Sequence, residues 1–395
     1  MFRIIQSNDT DTLIDHLIEH YKNATAPTLG LSVFSPFTVI VPSMVLGDWL
    51  GKTIATKVGI STLFMSEFWG KYQWQMTQKV LEQDAKIYPN DAISVPEVAV
   101  LSASIMKWRI FGYLSGEIKA RQRAILDDPD DVLHFLLKPL YDKDAGVIVE
   151  QRLWQVCDEL SRVYVRYLTH RPHWLLAWAK GHSLGDDVQA MMNDKARFEK
   201  AFSTLRPSPD EVEEADDDSE FPQWLQDHYL ALERLLGKLW HELFGQTYLY
   251  REQLEQRFWQ ALSGERGKQV ETLAKDALPK CLYLFTVQQI PQVELDFLKR
   301  FSLYRDVVLF HFNPSRLFWA DIVDKNWLLT QQIINPDSVY LKDYGHGLLS
   351  RLGKESRETF AMLADMTGGA DSDEWQIVWQ DEFVSHLTGE QGEKY

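Results

Sequence analysis

The segment Phe37 to Leu50, FTVIVPSMVLGDWL, constrains the fold more than any other stretch of the chain. An apolar, β-branched strand runs directly into a helix, and the turn between them contains no glycine. A strand followed by a helix is the building unit of a parallel α/β sheet, and its turn is where such sheets hold phosphates. A phosphate loop needs G-x-x-x-x-G-K-S/T immediately after the strand, so that free backbone amides wrap the anion. Gly51, Lys52 and Thr53 supply the tail of that pattern, but the upstream glycine, Gly47, stands one residue too close. The triplet also lies ten residues past Val41, two turns or more into the helix, where amides are already bonded to carbonyls. The chain reads as an α/β nucleotide-type sheet without a functional ATP site, and the Gly-Lys-Thr as an incidental match on a helix.

Other segments share the grammar. Strands are expected at Phe2 to Gln6, Thr38 to Val41, Cys281 to Val287 and Asp306 to Phe312, with helices capped near Asp9 or Thr10, running through Lys57, and covering Val293 to Phe301. Near-continuous apolar strands of this kind suit a parallel sheet covered on both faces. Between about 76 and 275 the strand signals fade into 3.6-periodic segments, such as Leu153, Val156, Cys157, Leu160, Val163, Tyr164 and Tyr167. The economical architecture is an α/β domain over 1–75 plus 276–345, split by an all-α insertion over 76–275, with 346–395 starting a following domain or connector. Within the insertion, Asp210 to Glu220 holds eight acidic residues and no basic one, so 207–222 reads as a solvated loop. Glu374 to Trp379 reads as one further strand.

Composition narrows the function. The 395 residues carry a net charge of -16, which excludes a protein that coats nucleic acid non-specifically and restricts any DNA contact to a local groove. Two cysteines, Cys157 and Cys281, are too few for a disulfide framework, a zinc site or an iron–sulfur cluster, and fit a reducing compartment. The first residues turn polar quickly and no apolar run approaches a membrane span, so neither a signal peptide nor a transmembrane helix is expected. Fourteen tryptophans serve as core or as stacking platforms for bases, core being the commoner use.

Catalytic constellations are missing where geometry wants them. A magnesium-binding acidic pair belongs at the end of a core strand, but the candidate strand ends Thr286-Val287-Gln288-Gln289, and neutral glutamines do not organise a metal. Asp321 and Asp324 follow a strand without an acidic partner and read as caps. His170, His173 and His182 lack the i, i+4 spacing of a helical ligand pair. The richest segment is RVYVRYLTHRPHWLLAW, Arg162 to Trp178. Arg162 and Arg166 lie one turn apart opposite the apolar stripe, Arg171 precedes Pro172, and Trp174 and Trp178 open the next helix. Such a junction either holds phosphates and stacks bases, or consists of core tryptophans with arginines solvated or paired with Asp158 and Glu159.

The run Tyr167-Leu168-Thr169-His170-Arg171-Pro172-His173-Trp174-Leu175, with Trp178, Gly181 and His182, resembles the Y-L-x-x-R-P-x-W-L-x-x-W-x-x-G-H segment of the RecC family, the gamma subunit of exodeoxyribonuclease V (RecBCD). Arg3, Ser7, Asn8, Val41-Pro42-Ser43, Trp49, Leu50, Lys57, Gly59, Ile60 and Trp74 fit its amino end. Asn313 to Ile322 is similar to its N-P-x-R-x-x-W-x-D-I, and Leu348 to Met366 continues the match in order. The resemblance covers nearly the whole chain and implies an amino-terminal part of a longer subunit.

The resemblance also implies a helicase-like, P-loop NTPase-type fold that has lost its ATPase. The subunit would break no bond itself; ATP and Mg2+ would be used by the partner subunits RecB and RecD of a bacterial cytoplasmic, nucleoid-associated heterotrimer in double-strand break repair by homologous recombination. Its task would be to hold those partners, help split duplex ends, and pass the 3′-ended single strand through a tunnel where Chi is recognised. The family's Chi-reading positions fall here on Pro42, Met44, Asp48, Phe68, Trp74, Arg162, Val163, Val165, Arg166 and Arg171. Trp74 and Arg171 keep the family pattern. Pro42, Met44 and Asp48 stand where Gln or Thr is usual, and Arg162 and Val165 where acidic residues are usual, so the octamer recognised is expected to differ or recognition to be weak. Two other classes remain open: a protein–protein scaffold that never touches DNA, and an active ATPase or nuclease, which the missing glycine loop and acidic pair oppose.

Overall fold

The computed structural model describes residues 1–25, 36–59, 63–96, 101–184, 223–286, 290–334, 342–368 and 377–384. The acidic segment 207–222 and Val287 to Gln289 therefore lie outside the described residues. The chain forms two compact units, Met1–Val95 with Gln256–Tyr395, and Pro96–Glu255.

The first unit is built on a six-stranded sheet of β1 (Phe2–Ser7), β2 (Phe37–Ile40), β3 (Phe64–Glu67), β6 (Cys281–Phe285), β7 (Asp306–Phe312) and β8 (Ile377–Asp381), in the order β3-β2-β6-β7-β1-β8. Every adjacent pair is parallel. After β1 the chain crosses over α1 (Thr10–Thr25), skips β7 and β6, and enters β2.

Both faces are covered, which is why the strands are apolar throughout rather than alternating. Ile5, Val39, Val41, Phe285 and Phe310 pack under Leu13 and Leu17 of α1 and Leu50 and Ile54 of α2 (Met44–Val58). On the other face, Phe2, Ile4, Ile40, Leu284 and Leu309 meet Val80 of α3 (Trp69–Ile87), Phe258 near the end of α8 (Gln223–Ser263), Val270 of α9 (Lys268–Ala277), Phe301 of α10 (Gln292–Phe301) and Leu363 of α13 (Lys354–Gly368).

The boundaries differ from the sequence reading. Residues 76–95 and 256–275, placed in the insertion from sequence, fall in the sheet unit, whose limits are 95/96 and 255/256 and which holds α3 and α9 whole. Periodicity reports that a helix has a buried face and not which layer buries it. Ile377–Asp381, read from sequence within the start of a following domain or connector, is likewise a strand of this sheet. β8 pairs with β1 from Phe2↔Ile377 to Gln6↔Asp381, and the Asn8 side chain both donates to and accepts from the backbone of Val384, at 3.0 and 2.9 Å.

The second unit contains α4 (Ala103–Asp127), α5 (His134–Leu137), α6 (Glu150–His170), α7 (Pro172–Ala179) and the first part of α8. It is not purely α: β4 (Tyr141–Asp142) and β5 (Val147–Ile148) form an antiparallel hairpin. Its core draws Met106, Ile110 and Leu114 from α4, Leu153, Cys157, Leu160 and Tyr164 from α6, and Leu236, Trp240 and Phe244 from α8.

Candidate nucleic-acid interface

The β2–α2 turn has no anion cradle. Ser43 caps α2, its Oγ accepting from the Leu46 amide at 3.3 Å. Gly51 is the eighth residue of the helix that starts at Met44, and Thr53 Oγ1 donates to the Trp49 carbonyl at 2.9 Å, so Gly51-Lys52-Thr53 is ordinary helix interior. Gly47 has a packing role instead. A Cβ there would stand 2.3 Å from Ser66 Oγ, so its absence is what lets α2 lie directly on β3.

A second strand-to-helix turn, β1 to α1, is closed to anions too. Asp9 Oδ2 accepts from the Thr12 amide and hydroxyl at 2.8 and 2.7 Å, and Ser7 Oγ accepts from the Asp9 amide at 3.0 Å. A carboxylate occupies the positive end of the helix, where a phosphate would have to sit. Gln288 and Gln289, the neutral pair read in place of a magnesium site, lie outside the described residues. Asp324 is a cap, accepting from the Asn326 and Trp327 amides at the start of α11 (Lys325–Ile334). The Trp327 amide first, then the Arg351 guanidinium, hold its carboxyl below the usual range. Among the described residues no group of His, Cys, Asp or Glu is arranged to hold a metal ion.

What the β2–α2 turn does present is apolar surface. β2 and β3 end side by side, the Val41 amide donating to the Glu67 carbonyl at 3.0 Å, so the segments that start at Pro42 and Phe68 leave neighbouring strands at the carboxyl edge of the sheet. Pro42, Met44, Asp48 and Phe68 are all exposed, and Trp74 is half-buried on α3. Val45 and Trp49, one turn apart on α2, are 80% and 42% exposed, and neither was singled out from sequence as a contact. The available signal was their i, i+4 placement off the Gly47, Leu50, Ile54 stripe.

The second group sits on α6. Tyr164 is buried and bonds the Leu236 carbonyl at 2.7 Å, while Arg162, Val165 and Arg166 face solvent and Val163 is half-buried. Arg162 is paired with Asp158 and Glu159 at 2.7 and 3.2 Å, as the structural alternative required. Asp158 in turn is held below the usual carboxylate range, chiefly by Lys107 and then by Arg162. Arg166 makes no ion pair among the described residues. Arg171 ends α6 at φ -141°, ψ 48°, with its guanidinium 5.6 Å from the Trp174 ring. Trp174 and Trp178 are core. Trp178 Nε1 donates to Glu233 Oε1 at 2.8 Å, and Gly181, at φ +78°, closes α7 with its amide on the Trp178 carbonyl. The W-x-x-G-H part of the motif is therefore a helix terminus. The two groups of residues belong to different units.

The Asn313 motif is also structural. Asn313 Nδ2 donates to Gln6 Oε1, its Oδ1 accepts from Trp319 Nε1, and Gln6 Nε2 donates to Asp381 Oδ1, so one chain of hydrogen bonds, buried at Asn313 and Gln6 and exposed at Asp381, ties β7, β1 and β8 at their carboxyl ends. The exposed Leu317 and Phe318 lie between Asn313 and Trp319.

These features define a doubly covered parallel α/β protein whose β1–α1 and β2–α2 turns hold no phosphate cradle and which is interrupted by a largely helical unit. The chain belongs to the RecC N-terminal domain family, whose profile matches residues 2–391. It is similar to RecBCD enzyme subunit RecC of Escherichia coli (strain K12), with 22% identity over 414 residues covering 98% of this chain and 30% of that protein. RecBCD enzyme subunit RecC of Haemophilus influenzae (strain ATCC 51907 / DSM 11121 / KW20 / Rd) is 21% identical over 333 residues, covering 82% of this chain and 24% of that protein. The chain thus spans less than a third of the length of these two relatives. Among the described residues no helix is long and apolar enough to cross a membrane.

Proposed function

We propose that this chain is a non-catalytic, DNA-binding and scaffold part of a RecBCD-type helicase–nuclease acting in recombinational repair of double-strand breaks. Its sheet is the remnant of a helicase-like domain, and ATP and Mg2+ are used by the partner subunits RecB and RecD. The observation that carries the reading is the exposed row Met44, Val45, Trp49 and Phe68 at the carboxyl edge of a parallel sheet, the position where α/β proteins bind ligands. Rings and apolar side chains there stack bases and do not hold phosphate.

The 3′-ended single strand passes this edge and the α6 arginines. Pro42 has no side-chain polar group and Met44 only a weak acceptor, so the bidentate reading of a base edge is lost at both positions. Chi recognition is accordingly altered or weak.

The test reconstitutes the complex and maps cutting on DNA with the usual Chi. An unaltered Chi-dependent switch overturns the altered recognition. Failure of Met44→Ala with Phe68→Ala to change single-strand crosslinking to this subunit overturns the DNA contact and leaves the scaffold reading.

A further inference from the structure

α4 carries an aromatic platform on its solvent face. Trp108 is 62% exposed, the most exposed tryptophan among the described residues with large apolar exposure. It is nonetheless held in place: its ring stands 4.6 Å from Trp154 at 61° and 6.4 Å from Phe111 at 88°, and Phe111 lies 5.2 Å from Trp154. Lys107 Nζ lies 4.1 Å above the Trp154 ring and bonds Asp158 at 2.7 Å. An indole fixed by edge contacts yet open to solvent has already lost the rotamer freedom that a stacking partner would otherwise have to remove.

The neighbours give the surface its sign. Lys107 meets Asp158 while Trp108 and Phe111 meet Trp154, so α4 and α6 run antiparallel and Trp108 stands level with the first half of α6, with Arg162 and Arg166 following about one and two turns beyond Asp158. Ile105 and Trp108 on α4 and Val165 on α6 are exposed. Over 103–112 and 158–171 the cations Lys107, Arg109, Arg162, Arg166 and Arg171 outnumber the carboxylates Asp158 and Glu159, in a chain whose net charge is -16. A locally cationic strip with a fixed, exposed ring is the chemistry of single-stranded nucleic acid binding, in which bases stack and phosphates meet cations.

We infer that Trp108 is a base-stacking platform that extends the α6 arginine strip onto α4, its ligand being single-stranded nucleic acid without sequence preference. The inference rests on the nucleic-acid reading of α6 and adds a contact on a second helix.

The experiment measures anisotropy of a labelled oligothymidylate, and of an abasic strand of equal length, with the full chain and its Trp108→Ala, Trp108→Phe and Arg166→Ala forms. Stacking of one base predicts about a ten-fold loss of oligothymidylate affinity in Trp108→Ala, retention in Trp108→Phe, and unchanged binding of the abasic strand. Arg166→Ala weakens both strands. Loss in Arg166→Ala with none in Trp108→Ala overturns the platform and spares the α6 reading. No binding by the unsubstituted chain overturns both. If Trp108→Ala instead lowers assembly with RecB and RecD while leaving oligothymidylate affinity unchanged, the face is a protein interface and the inference is wrong. Equal melting temperatures of the two Trp108 forms separate lost stacking from lost folding.

Discussion

Gly47 is fixed by a contact and not by a conformation. A methyl group there meets both Ser66 Oγ at 2.3 Å and Ser66 Cβ at 2.6 Å, on a strand that cannot retreat because β2 pairs it along its length. Gly47→Ala is expected to cost about 1–3 kcal/mol, the usual penalty of overpacking, read by urea unfolding, with Ser66→Gly in the same chain recovering part of it. Two titratable side chains act in opposite directions. Burial pushes the Glu294 carboxyl up to about 7 from 4.5. The folded state then holds a proton the unfolded chain has released, so this stability is full below pH 4.5 and is lost as pH rises through 7. Glu294→Gln should therefore be more stable than the parent at pH 8, by on the order of 2 kcal/mol, with the difference vanishing near pH 4.5. His311 is buried with Nε2 unpartnered among the described residues, and burial lowers its pKa to about 4. The unfolded chain binds the proton first, so stability is full above pH 6.5 and falls on the way to 4. His311→Leu should flatten that acid limb in urea midpoints measured across the interval.

At the scale of elements, one carboxylate of α8 joins the Trp240, His241 and Tyr248 contacts in holding α7 and the residues after it. Glu233 accepts from Trp178 Nε1 at 2.8 Å and from the Leu184 amide at 2.9 Å, and both donors are buried. Glu233→Ala strands them, which should cost about 3 kcal/mol in urea unfolding and speed hydrogen exchange at the Leu184 amide. Elements of this kind separate what sequence reveals from what it hides. The strand at Asp306–Phe312 and the α6 stripe were legible because a two-sided strand and a one-sided helix each print their burial as a local period. The role of Glu233 was not legible, since its partners lie 49 and 55 residues away and no period encodes them. The same limit applied to the interface. The exposure of Arg166 followed from its helical phase, whereas the adjacency of the segments that leave β2 at Pro42 and β3 at Phe68 depends on which strands become neighbours. Nor does α4, taken alone, show that Trp108 meets Trp154.

For the molecule as a whole, the two units have separate cores, one across α4, α6 and α8 and one on each face of the sheet. Unfolding should therefore not be two-state. Leu239→Ala, which opens a cavity in the helical unit alone, should shift one transition in a urea titration monitored by hydrogen exchange and leave the sheet amides protected. The capped helix starts after β1 and β2 predict that the isolated chain shows no ATP-dependent rise in melting temperature, with Lys52→Ala indistinguishable from the parent. The strand order has a further consequence, for synthesis. β1 is made first, yet its neighbours β7 and β8 begin at Asp306 and Ile377. At ribosomal elongation rates the first strand waits roughly 15–60 s for its nearest partner, by which time Pro96–Glu255 has been completed. The helical unit is thus free to fold during translation, while the apolar first strand remains a nascent edge in need of a chaperone until β7 and β8 have been made.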